Sequence, residues 1–175
     1  REERATTLVQ VLGVIGFALL TALGAQFKIF LWEVPVTLQT LAMYGSGLYL
    51  GWRNGMLSQV LYLSLGMFLP VYAGETFGLA YLFAAPSAGY ILAFPLAAAA
   101  VGLLSRRWKT FAGSVLCLLV GSAIVFSIGV TWLHYAAGHT SWLESIDKGW
   151  LRFVSFDLVK IALVGMLYTG TRRLF

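Results

Sequence analysis

The stretch "LRFVSFDLVKIALVGMLYTGT", Leu151 to Thr171, would read as a plain membrane span with Arg152 at its start, but for two charges deeper within it, Asp157 and Lys160. It is long enough to cross a hydrocarbon core of ~30 Å, which takes ~20 residues of helix. The rest of the chain has the same character. Of its 175 residues 59% are hydrophobic and 11% charged, whereas soluble domains are ~45–50% apolar and ~25% charged. Working outward, apolar runs separated by polar punctuation predict six spans, at about 7–29, 36–51, 55–70, 86–104, 112–135 and 151–171. All six read as helices, because backbone groups in lipid must be satisfied within their own segment and the runs lack the period-two alternation of a membrane barrel. The expected fold is an all-α integral membrane protein with one transmembrane domain, 1–175, and no room for a soluble catalytic domain.

The formal charge of +5 is distributed in short clusters at the ends of apolar runs. No basic stripe of the kind that binds nucleic acid is formed, so the clusters read as topology signals facing a lipid bilayer. Placing the N-terminus inside puts Arg1, Arg4, Arg53, Arg106, Arg107, Lys109, Arg172 and Arg173 on the cytoplasmic side, eight of the twelve basic residues. The positive-inside rule therefore predicts an N-in, C-in orientation. Trp32, Trp142 and Trp150 then fall at the outer interface and Trp52 and Trp108 at the inner one. The first apolar run follows "REER" without a small-x-small cleavage pattern and reads as a retained span. A multi-pass position in a plasma membrane follows. The segment "VYAGETFGLAYLFAAPS", Val71 to Ser87, is apolar but interrupted by glycine and proline; it reads as a loop folded over or into the bundle.

In this orientation Asp157 and Lys160 lie one to three turns below the outer surface, and their spacing of three puts them on one helix face. Each charge costs ~2.5–3.5 kcal/mol at mid-membrane, so the pair should face the bundle or a cavity. It could bind a polar head offering N–H and C=O groups, or simply neutralise itself as an ion pair. Phe153 and Phe156, on neighbouring turns, could pack on an apolar ligand body or be plain core. "VPVTLQT", Val34 to Thr40, has Pro35 suited to a helical first turn. Its Thr37, Gln39 and Thr40 serve either ligand binding or helix–helix hydrogen bonding. Tyr90, in "APSAGYILAF", places a hydroxyl one turn below the outer surface. "ALLTA", Ala18 to Ala22, and "GLYLG", Gly47 to Gly51, are small-xxx-small patterns that let helices approach closely.

Several chemistries lack their residues. No G-x-x-x-x-G-K-[ST] occurs for ATP hydrolysis, and no G-x-S-x-G for a serine nucleophile. His134 and His139 read as interfacial histidines, Cys117 as a lipid- or helix-facing small residue, and no metal-ligand cluster is expected.

Four segments, "VPVTLQTLAMYGSGLYLGWRNGMLSQVLYLSLGMFLPVYAG", "APSAGYILAFPLAAAAVGLLSRR", "GVTWL" and "FDLVK", occur in this order over residues 34–171. The chain thereby resembles the BioY family of biotin-binding S-components of energy-coupling factor (ECF) vitamin importers. That resemblance implies a six-helix S-component fold that captures biotin from outside a prokaryotic cell and delivers it inward. The expected partners are a transmembrane coupling subunit and two ABC-type ATPases, which alone use ATP; no cofactor of its own is expected. It implies biotin-head contacts from Asp157 and Lys160 (the family's D-x-x-K), with Thr37 and Gln39 (T-L-Q) and Tyr90 (G-Y) in the same pocket, Tyr90 against the apolar part of the ligand, and Glu75 as the polar contact from the loop after the third span. Ala18 and Ala22 match the face that docks on the coupling subunit. The chain departs from the family in "LRFVS" before Asp157, where Pro and Pro-Gly are usual, in "AGETFG", and in A-P-S-A-G-Y for G-P-T-x-G-Y. Alternatives are an S-component for another vitamin and an autonomous ion-coupled permease; an intramembrane enzyme lacks a nucleophile–base or metal constellation.

Overall fold

The computed structural model describes residues 6–30, 33–74 and 77–172. Trp32 and Glu75, along with the terminal Arg1, Glu2, Glu3, Arg4 and Arg173, lie outside the described residues. Helix α1 (Thr7–Gln26) leads into a short antiparallel hairpin, β1 (Lys28–Phe30) and β2 (Pro35–Thr37), with Lys28 opposite Thr37 and Phe30 opposite Pro35. Helix α2 (Gln39–Gly66) follows, then α3 (Leu79–Ala84), α4 (Ala88–Leu92), α5 (Phe94–Leu104) and α6 (Phe111–Ala136). A short α7 (Trp142–Ile146) runs into a π-helical turn (Asp147–Leu151), and α8 (Val154–Thr171) closes the fold.

The second and third predicted spans form one helix by hydrogen bonding, but a single residue folds it in two. Gly51 has φ 76° and ψ 179° within α2, a conformation open to glycine and strained for residues with a Cβ. Ser46 and Gln59, thirteen residues apart, would be ~20 Å apart along a straight helix. Instead the Gln59 amide reaches Ser46 Oγ at 3.2 Å. The chain therefore doubles back at Gly51, while the polar triplet Trp52–Asn54, expected to form the connection, is helical. Counting the two arms of α2 separately and α4–α5 as one interrupted helix, the described residues contain six long helical segments. The interruption at Ala93 precedes Pro95, which cannot donate to the previous turn.

The expectation of helix on both sides of residue 30 is corrected. Lys28, Ile29 and Phe30, and Pro35, Val36 and Thr37, pair as strands, as suits their β-branched and aromatic content. Gly24 makes the return possible: a Cβ there would lie 2.9 Å from the Gln39 nitrogen and the Leu38 carbonyl, and Leu38 N–H donates to the Gly24 carbonyl at 3.1 Å. The linker before α8 is helical too, in α7 and the π-helical turn, where the sequence showed only polar punctuation.

Ala18 and Ala22, expected to meet a partner helix, are buried inside this chain. They flank Thr21, whose hydroxyl lies 3.3 Å from the Gln59 amide, while Phe17 packs onto Gly45. The small-residue face of α1 is thus used against α2, and a partner could reach it only if α1 moved. Leu8, Leu12, Ile15, Leu19 and Leu23 of α1 are exposed instead, as are Leu158, Val159, Leu163 and Met166 of α8. Exposed aliphatic faces of this extent are what lipid, not water, accommodates.

Gly102 meets the corner of α2 so closely that a Cβ would lie 2.2 Å from the Trp52 nitrogen and 2.5 Å from its Cα. Backbone cannot yield as a side chain can, so Gly102→Ala is expected to cost about 1–3 kcal/mol. Thermal melting in detergent checks this against Gly16→Ala, where nothing lies within 4 Å and the melting temperature should hold.

Candidate ligand-binding site

The α2 arm Gln39–Leu50, the β2 strand, α4, α6 and the first turns of α8 enclose one cavity. Val34, Thr37, Gln39, Thr40, Tyr90, Phe153, Phe156, Asp157 and Lys160 line it, joined by Ala73, Tyr81, Ser87, Phe126 and others. Five of the six residues expected to contact ligand are therefore brought together; the sixth, Glu75, lies outside the described residues. The walls are mainly apolar, with a few convergent polar groups, as small-molecule sites usually are. The cavity has a volume of only about 60 Å³. A bicyclic ligand would require the walls to part.

Asp157 and Lys160 share a helix face but do not neutralise one another: among the described residues their charged atoms form no ion pair. Asp157 is 4% exposed. Its carboxylate accepts from Tyr44 Oη at 2.9 and 3.0 Å and from Ser122 Oγ at 2.5 Å, tying α8 to α2 and α6. Lys160 Nζ turns the other way, donating to the Thr37 carbonyl at 2.7 Å and to Thr40 Oγ1 at 3.1 Å. A carboxylate has about four lone-pair positions, and two hydroxyl protons leave capacity for further donors. An ammonium has three protons, and Lys160 commits two of them. The pair thus offers an acceptor and a donor side by side.

Around this pair, Thr37 Oγ1 donates to Gln39 Oε1 at 2.8 Å, and Gln39 Nε2 donates to Tyr62 Oη at 2.6 Å. The Tyr90 hydroxyl does not point free into the cavity; it donates to the Gly149 carbonyl in the π-helical turn at 2.9 Å. Its ring borders the cavity and meets Phe126 edge to face, centroids 6.0 Å apart. Tyr81 shares a hydrogen bond of 2.7 Å with Ser87 and stacks on Tyr72, so α3 is pinned to both sides of the segment after α2. Tyr44, Ser122 and Tyr62 were not singled out from the sequence. Tyr44 follows Thr40 by four, a helical repeat that could have marked it; Ser122, alone on an apolar helix, carries no such signal.

Above the cavity, Lys148 of the π-helical turn bridges Glu33 at 3.1 Å and Glu144 at 2.8 Å, joining the hairpin tip to α7. A hydrogen bond from its own backbone and those from Lys148 hold the Glu33 carboxyl below its ordinary 4.5, against partial desolvation. Lys148 does the same for Glu144, and Glu144, then Glu33, lift Lys148 above its ordinary 10.5. His134 and His139 both turn Nδ1 to Ser145 Oγ, at 2.8 and 3.0 Å, and His134 stacks on Trp142.

This arrangement superimposes on a crystal structure of the S-component for biotin from an ECF-type ABC transporter with a TM-score of 0.87, over 99% of this chain and 95% of that one, at 23% identity. The chain therefore has the S-component fold. The family model of BioY matches residues 2–175, and the chain belongs to the BioY family. It is similar to the biotin transporter BioY of Thermotoga maritima, with 32% identity over 90% of this chain and 92% of that protein. It also resembles a probable biotin transporter BioY of Pyrococcus horikoshii, with 35% identity over 83% and 85%. The family is one of transporter components, not enzymes, and with its apolar exposed helices the chain is a membrane protein.

Tyr44→Phe should destabilise the protein by about 1.5–3 kcal/mol, since it takes a donor from a buried charge. In an Asp157→Asn background the same change should cost less, as a double-mutant melting cycle would register. In the Lys148 network, the lowered carboxylates contribute stability above their ordinary pKa and lose it as acid protonates them; the raised Lys148 contributes below its own and loses it in strong base. The melting-temperature difference between wild type and Lys148→Met should therefore be flat from about pH 5 to 8. It should shrink below the ordinary carboxylate value of 4.5 and in high salt.

Proposed function

We propose that the chain is a biotin-binding S-component: it takes biotin from the outer side of a prokaryotic plasma membrane and delivers it inward with an ECF coupling subunit and ABC-type ATPases. Its 175 residues would act as one six-span transmembrane domain, N-in and C-in, with ATP used by the partners alone. The observation that carries this reading is the pairing, in one apolar cavity, of an acceptor at Asp157 with a donor at Lys160, each anchored separately. A cyclic urea offers the complementary pattern, N–H beside C=O. Its ring N–H groups would meet Asp157 and its carbonyl the Lys160 and Gln39 donors, while the thiophane and valeryl parts pack on Tyr90, Phe126, Phe153 and Phe156. The names of the curated relatives support biotin over other vitamins.

The narrowness of the cavity gives the segment after α2 a role. Ala73 and Tyr81 form part of the wall, so residues 71–74 and 77–85 would part to admit ligand and close to exclude water, which strengthens the polar contacts inside. Release to the cytoplasm would require the bundle to reorient on its partners. An autonomous ion-coupled permease is the contrasting reading, and biotin uptake by the purified chain alone in liposomes under an ion gradient would favour it.

Calorimetric titration with a panel of vitamins tests the assignment: tight binding of biotin alone is expected, and binding of another vitamin in its place overturns it. Asp157→Asn, which removes a charged acceptor at constant shape, should weaken biotin binding by roughly tenfold or more while the variant remains folded by circular dichroism.

A further inference from the structure

Tyr62 is fully buried and stands behind the cavity wall, hydrogen-bonded to Gln39, which lines it. Its oxygen lies 2.6 Å from Gln39 Nε2 and 3.3 Å from the Val71 carbonyl oxygen. A carbonyl accepts and never donates, so the tyrosine proton goes to Val71 and the tyrosine oxygen is left to accept. Whatever faces it must be a donor, which requires the NH₂ end of the Gln39 amide there, not the oxygen. The other end of the amide obeys the same polarity. Gln39 backbone N–H donates to Thr37 Oγ1 at 3.4 Å, and the Thr37 hydroxyl proton goes on to Gln39 Oε1 at 2.8 Å.

The amide is thus held at both ends, oxygen towards Thr37 and nitrogen towards Tyr62. Tyr62 takes one of the two Nε2 protons. Gln39 lines the cavity and is 4% exposed, and the second proton has no partner among the described residues. A buried N–H left unmade is costly, and a ligand acceptor would satisfy it.

We infer that Tyr62 is a specificity-determining residue: by fixing the direction of the Gln39 amide it makes the cavity present a donor there, selecting ligands whose facing atom is a hydrogen-bond acceptor. This rests on the ureido reading given above, in which the facing atom is the urea carbonyl. A site of this polarity rejects the cyclic guanidine analogue of biotin, whose urea oxygen is replaced by a nitrogen that carries protons. With phenylalanine at 62 the amide is held only from the Thr37 side, where a hydroxyl can accept from an amide N–H as well as donate, so it can turn over and bring its oxygen to where the proton stood.

The test measures dissociation constants of biotin and of its cyclic guanidine analogue for wild type and Tyr62→Phe by calorimetry. The preference for biotin over the analogue should narrow by about tenfold or more, because biotin loses a donor while the analogue gains an acceptor. An unchanged ratio, with both ligands weakened alike or neither affected, overturns the inference and leaves the biotin assignment standing; a wild-type chain that binds no biotin overturns both. Should Tyr62→Phe not fold, Gln39→Glu tests the premise on which the role of Tyr62 depends, that the Gln39 N–H sets the preference: it exchanges the donor for an acceptor at nearly constant shape, and a retained wild-type preference overturns the inference.

Discussion

A carboxylate buried in an apolar bundle governs how the helices meet. Leaving Asp157 unpaired would cost several kcal/mol, and the fold answers by converging two hydroxyls on it, Tyr44 from α2 and Ser122 from α6. Those two bonds fix the relative placement of three helices at the level of the cavity floor. Because they come from neutral groups, the charge stays available for a ligand instead of being cancelled by Lys160. Lys160 is kept apart by the backbone of Thr37 and the hydroxyl of Thr40. The α8 pair therefore works as two poles with different anchors.

The hairpin explains how the lysine comes to have its anchor. Strand β2 delivers Thr37 beside α8, and the first turn of α2 delivers Gln39 and Thr40 immediately after it. The close return of the chain onto Gly24 keeps this corner against α1, so that polar wall and small-residue packing belong to one arrangement. On the opposite wall, the π-helical turn exposes the Gly149 carbonyl to Tyr90, and a Cβ at Gly149 would fall 2.6 Å from that hydroxyl. A π-turn at such a place fits the frequent association of these turns with functional sites.

The long helices were legible in the sequence as apolar runs of sufficient length, and the D-x-x-K pair stood out because a charge in such a run is costly. The connections were less so. Residues 28–30 and 35–37 are apolar enough to extend the neighbouring spans, and composition alone does not distinguish a short strand from the end of a helix. The break between residues 51 and 55 was legible from the polar "WRN", while its concentration in the single dihedral of Gly51 was not. Ala18 and Ala22 show what a small-xxx-small reading holds: spacing says that a helix comes close, and within this chain the two alanines are buried, which spacing alone did not reveal. Likewise the hydroxyls on Asp157 are supplied by residues 113 and 35 positions away, a proximity that only the folded bundle creates.

The central claim, that Asp157 and Lys160 act as separate acceptor and donor poles for a cyclic urea, is tested most directly by a structure of the purified chain with biotin bound. The account predicts the ureido ring in the cavity, with a ring N–H within hydrogen-bond distance of the Asp157 carboxylate and the carbonyl oxygen facing Lys160 Nζ and Gln39 Nε2. Biotin bound with its ureido ring away from Asp157, or an Asp157–Lys160 ion pair closed beside the ligand, would contradict it.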